Sequence, residues 1–82
     1  MWQVGIIKHP ESNDVHLRKT ATDDDDIKHF LRDGFLDVKT SVTIVARAVT
    51  ESGTEMMMVQ HRSANGKFIC GWLKAAYVDV EQ

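Results

Sequence analysis

Apolar positions recur along this chain with two different periods, and each period predicts a different kind of element. WQVGIIKH, residues 2–9, is a short, partly β-branched apolar run that predicts a strand. Pro10 ends it, and PESND supplies turn chemistry through Pro, Ser, Asn and Asp. VHLRK then sets Val15 and Leu17 against His16 and Arg18, the alternation of a half-buried strand. The two runs together read as a hairpin over 2–19.

The period changes in TATDDDDIKHFLRDG, residues 20–34. Thr22 is a favoured N-cap residue, and Asp25 stands three positions later in the manner of a capping box. Asp23, Asp24, Asp25 and Asp26 suit the positive end of a helix dipole. Ile27, Phe30 and Leu31 fall at i, i+3 and i+4, one apolar stripe, and Gly34 stands where a left-handed cap would end a helix. The spacing predicts a helix over about 23–33.

Period two returns afterwards. SVTIVARAVT is rich in Val, Ile and Thr and predicts the strongest strand of the chain. ESGT holds a Ser-Gly turn, EMMMVQHR predicts the next strand, and Asn65-Gly66 is a strong hairpin signal. KFICGWLKAAYVDV predicts a last strand, bent or broken near Gly71 or Ala75-Ala76. The order β-β-α-β-β-β describes a small α+β domain over 1–82, with a meander over about 40–80. It implies an antiparallel sheet with one helix packed on one face.

The two central strands complicate this picture. Val42, Ile44, Ala46 and Ala48 alternate with Val45 and Val49, and Met56 and Met58 alternate with Met57 and Val59. Both faces are therefore apolar, yet one short helix covers only one of them. The uncovered face predicts a contact with a partner or a second copy, carried by Val45, Met57 and Val59. Methionine suits such a surface because it is unbranched and adaptable. The pattern points to a homodimer through the open face or edge of the sheet.

Composition adds little to that reading, whereas charge placement adds something. The chain of 82 residues is 43% hydrophobic and 27% charged, ordinary values for a globular protein. Its net charge is −2, but residues 23–37 alone carry −4, leaving a slightly basic remainder. The aspartate run is thus a second candidate partner surface, able to present carboxylates to a basic protein and raise the association rate. Arg47, Arg62, Lys67 and Lys74, with Trp72 among them, give an alternative nucleic-acid-binding surface on the meander. A pI near 6.0 weighs against a phosphate footprint.

Candidate chemistry is sparse. Cys70 is the only cysteine, which rules out an intramolecular disulfide and a cysteine-rich zinc cage. His9, His16, His29 and His61 show no His-x-x-x-His spacing. His9 and His16 would approach each other across the first hairpin with Asp14 nearby, and Cys70 would face His61 across the second. No nucleophile elbow, phosphate-binding loop or dinucleotide fingerprint is present. No metal or cofactor is expected from these patterns.

The opening residues lack the basic segment and apolar run of a secretory signal, and no apolar run approaches the roughly 20 residues that span a bilayer. These features point to a cytoplasmic protein. The sequence as a whole reads as a small non-enzymatic interaction module, a regulator or inhibitor that occupies the surface of another protein.

Overall fold

A computed structural model describes residues 2–81, and it replaces the expected α+β arrangement with an all-antiparallel sheet of seven strands. The strands are β1 (Gln3–Ile7), β2 (Asp14–Arg18), β3 (Phe30–Asp37), β4 (Ser41–Val49), β5 (Glu55–Arg62), β6 (Phe68–Lys74) and β7 (Val78–Val80). Their order across the sheet is β3-β2-β6-β5-β4-β1-β7. Two single 3-10 turns, Ile27–His29 and Ala75–Tyr77, are the only helical pieces among the described residues.

The residues expected to open a helix form a relay of turns instead. Thr22 Oγ1 accepts from Asp24 N (3.1 Å), Asp24 Oδ1 from Asp26 N (2.9 Å), and Asp26 Oδ1 from Lys28 N (3.1 Å). Each side chain thus captures the backbone N–H two residues on, closing a relay of turns that competes with i→i−4 bonding. A helix would also crowd four like charges into one turn. Ile27, the first residue of the expected stripe, is 75% exposed, while Phe30 and Leu31 open β3. Gly34 is a buried strand residue and not a left-handed cap.

The expected hairpin over 2–19 does not form either. β1 pairs with β4 and β7, and β2 pairs with β3 and, through the single pair Arg18↔Trp72, with β6. The turn signals after Pro10 redirect the chain out of one part of the sheet into another. The meander β4-β5-β6 does form as the turn residues imply, with Gly53 at φ 90° and Gly66 at φ 85°. The last strand runs unbroken through Gly71 and breaks at Ala75–Tyr77.

That break bends the whole sheet. β6 and β7 are four strand positions apart, roughly 19 Å in a flat sheet, whereas the four residues from Lys74 to Val78 reach at most about 14 Å. The sheet therefore curls until its two ends approach each other. All seven strands then send side chains into one core: Ile7, Val15, Leu17, Leu36, Val42, Ile44, Met57, Val59, Leu73 and Val78.

Curling also resolves the two-sided strands. Ile44 lies opposite Val59, but the next pair is Ala46↔Met58, so Val45 is a β-bulge. Direct cross-strand partners share a face. The row Ile44, Val59, Gly71 therefore faces the core, while the row Ala46, Met58, Trp72, Arg18 lies on the outer face, half-buried at its first three members and buried at Arg18. The inside of the curl covers one face without any helix.

Candidate functional site

The sequence-predicted partner residues divide at once by burial. Met57 is 5% and Val59 0% exposed, both within the core, so neither is available to a partner. Val45 is half-buried in its bulge. The apolar residues that do face solvent are Trp2, Val4, Ile27, Phe35, Val49 and Phe68. Alternation through the meander had no means of saying which of its two apolar faces the rest of the chain would cover.

The aspartates are accessible, but each has an internal task. Asp23 accepts from the hydroxyls of Thr50 and Ser52, which ties the 20–26 segment to the β4–β5 turn. Asp24 reaches His29 Nε2 at 3.2 Å as well as Asp26 N. Asp25 bonds the Arg18 guanidinium at 2.7 Å, and Asp26 caps the Ile27–His29 turn. Arg18 is the one buried charged residue among those described. Its other terminal nitrogen donates to Asp24 O at 2.8 Å, and its guanidinium lies 4.4 Å from the centre of the Phe30 ring. The segment is thus strapped from β2 to the β4–β5 turn, in place of an acidic helix start.

Those ties set a protonation behaviour. The Ser52 hydroxyl, followed by Thr50, Thr54 and the Lys74 charge, holds the Asp23 carboxyl below its ordinary 3.8. The Asp26 amide, and after it His29 and Lys28, does the same for Asp24. A carboxyl lowered in the folded state adds stability at any pH above its ordinary value, and that contribution disappears as pH falls through the lowered one. The strap is expected to stay closed at pH 7 and to release only below pH 3.8. The amide shifts of Thr50, Ser52 and Gly53, followed by NMR against pH, should move together there. Asp23→Asn should remove the transition; a midpoint at or above the ordinary value would contradict the tie.

The basic residues do not converge. Arg62 and Lys67 lie at the β5–β6 hairpin, with Arg62 5.7 Å from the Phe68 ring centre. Arg47, bonded to Gln3, and Lys74 lie toward the opposite end of the same strands. Trp72 is half-buried beside Arg18. The four basic residues form two pairs at opposite ends of β5 and β6.

What the fold does bring together is a cleft between the β2–β3 hairpin and the Ala75–Tyr77 turn. His9, Asp14, Val15, His16, Arg18, Asp25, Phe30, Leu73, Lys74 and Tyr77 line a volume of about 360 Å³. On one wall the His9 and Tyr77 rings lie 4.6 Å apart. On the other, His16 is stacked on Phe35 at 4.0 Å and tilted against Phe30 at 4.7 Å. A strong register shift builds this second wall: His16 faces Phe35 and Arg18 faces Phe30, so residues 31–34 bulge out opposite Leu17. Leu31 turns back to lie over Gly71, and its carbonyl meets His16 Nε2.

His9, His16 and Asp14 therefore do share a site, though not through the expected hairpin. Arg18, Phe30 and Tyr77 were not legible as its lining, because a register shift and a curl have no period in the sequence. His61 and Cys70 are not cross-strand partners: His61 lies opposite Ile69, and Cys70 opposite Gln60. No group of three histidine, cysteine, aspartate or glutamate side chains is placed to hold a metal ion among the described residues. None of the described helical pieces is long and apolar enough to cross a membrane. Comparison with known protein families, with curated proteins and with solved structures gave no match.

Proposed function

We propose that this protein is a non-enzymatic interaction module, a regulator or inhibitor, that works by occupying the surface of another protein through the β2–β3 cleft. The observation that carries the reading is the composition of that cleft. Two aromatic walls, His9–Tyr77 and His16–Phe30, flank charged side chains of both signs, Asp14 and Asp25 with Arg18 and Lys74. Four ring side chains and four charged ones line the cleft in equal number, so recognition there rests on charge as much as on contact area. Flat rings add contact area with little loss of conformational freedom, and the charges fix orientation. A cleft of about 360 Å³ has room for one or two side chains projecting from a partner protein.

The groups whose protonation is displaced, Asp23 and Asp24, owe it to turn hydrogen bonds outside the aromatic walls. Displacement of that kind belongs to structural ties rather than to a tuned acid or base. The acidic segment enters the site through Asp25 alone, which both lines the cleft and holds Arg18.

Selection from a random peptide display library, followed by NMR titration of the isotope-labelled protein, tests the proposal. Selected peptides are expected to shift His9, His16, Lys74 and Tyr77, and Tyr77→Ala should weaken them at least about tenfold, the 1–2 kcal/mol of an aromatic contact. Shifts confined to Arg62, Lys67 and Phe68 on adding single-stranded oligonucleotides, with no peptide selected, would overturn it in favour of nucleic acid.

A further inference from the structure

The backbone decides where the ring protons of the two cleft histidines lie. His9 Nδ1 accepts from the amides of Glu11 (3.1 Å) and Ser12 (2.9 Å), so it carries no proton, and the proton of the ring sits on Nε2. His16 Nε2 meets the carbonyl of Leu31, which can only accept, so that nitrogen donates. In the neutral ring its Nδ1 is then an acceptor. Both rings carry the proton on Nε2, yet the nitrogen left free is a donor on His9 and an acceptor on His16. Neither free nitrogen has a hydrogen-bond partner. Both residues are half-buried, and no unpartnered side-chain nitrogen or oxygen is buried among the described residues, so both nitrogens are open to solvent.

The rings belong to opposite walls of the cleft, His9 beside Tyr77 and His16 against Phe30 and Phe35. The charges around them sum to zero, Asp14 and Asp25 against Arg18 and Lys74, and Arg18 is already bound by Asp25. A charged side chain entering there would gain from one pair and lose to the other. A neutral group that accepts on one side and donates on the other gains from both walls. We propose that the cleft receives the side-chain carboxamide of a partner's asparagine or glutamine, with its carbonyl accepting from His9 Nε2 and its amide nitrogen donating to His16 Nδ1. This rests on the cleft reading above and adds the chemistry of the occupant. Two hydrogen bonds of about 3 Å with a carboxamide between them span roughly 8 Å, the width of an equidimensional cleft of about 360 Å³. A hydroxyl also donates and accepts, but from a single atom, and so reaches only roughly 6 Å.

Two measurements test the proposal. Long-range proton–nitrogen NMR of the free, isotope-labelled protein at pH 8, above the range in which histidine charges, should show a protonated Nε2 and a bare Nδ1 on both rings. A protonated Nδ1 on either ring would overturn the proposal. Random peptide libraries that differ only in one fixed central residue (glutamine, glutamate, lysine or leucine) then probe the cleft. The glutamine library should be enriched, and replacing that glutamine by glutamate or leucine should weaken a selected peptide at least about tenfold. His16→Phe, shown to be folded by circular dichroism, keeps a ring against Phe30 and Phe35 but has no acceptor. Glutamine and leucine peptides should bind this variant alike, and a preference that persists would overturn the assignment. Peptides that shift the cleft residues but bind as well with glutamate, lysine or leucine would overturn the carboxamide and leave the cleft reading standing. Selection from none of the libraries would overturn the cleft reading itself, and this proposal with it.

Discussion

Met57→Ala is expected to remove about 2–5 kcal/mol of folding stability, while Met58→Ala, one residue along, removes well under half as much. Met57 is 5% exposed and belongs to the core shared by all seven strands. Its truncation leaves a cavity whose walls belong to a curled sheet, so the surroundings cannot collapse without disturbing strand pairing. Met58 lies on the outward row with Ala46 and Trp72 and is half-buried, so water refills the space it leaves. A domain of this size has roughly 3–5 kcal/mol in total, so Met57→Ala should lower the urea midpoint drastically or leave the chain partly unfolded. Equal losses from the two substitutions would show that the faces of β5 are assigned wrongly, and with them the core.

Gly71→Ala is expected to destabilise by about 1–3 kcal/mol although it adds only one methyl group. A Cβ at this position would lie 2.8 Å from Leu17 Cβ, 2.8 Å from Leu31 Cδ1 and 3.1 Å from Arg18 O. Leu31 is the far end of a flexible side chain and can turn aside. Leu17 Cβ and the Arg18 carbonyl are part of the β2 framework and cannot. Relief has to come from parting β2 and β6, which are joined only at Arg18↔Trp72. Besides the lower urea midpoint, hydrogen exchange should quicken at Arg18 and Trp72 before it does in β4 and β5. Gly71→Ala with unchanged stability would mean that this seam is looser than its contacts imply.

The seam is also where local reading of the chain stops. The meander was legible because Ser52-Gly53 and Asn65-Gly66 permit positive φ and so set tight turns between strands that are neighbours in sequence. The aspartate run was misleading because N-cap chemistry and Asx-turn chemistry use the same residues. Asp24 Oδ1 reaching the Asp26 amide is an i→i+2 bond that serves an Asx turn and a helix cap alike, so the bond itself does not choose between them. Only Phe30 and Leu31, claimed by pairing with β2 and packing on Gly71, decide between the two. Of the site, His9, His16 and Asp14 could be paired from the chain, and Arg18, Phe30 and Tyr77 could not.

By itself the sequence determined that β1, β2, β4, β5 and β6 extend and where the tight turns of the meander fall, but not β3, whose first half it read as helix. It also determined that the strands SVTIVARAV and EMMMVQHR are apolar on both faces. Such features depend on contacts between residues close along the chain, where side-chain period and turn geometry act directly. Tertiary structure alone decided which face became core, where β1 and β2 found their partners, and that His9 stands beside Tyr77. Those outcomes follow from a three-residue turn at Ala75–Tyr77 that forces the sheet to curl, and from bulges at Val45 and 31–34 that change phase midway along a strand. A bulge adds residues without altering hydrophobicity, so no pattern of apolar and polar positions reveals it until the partner strand is in place.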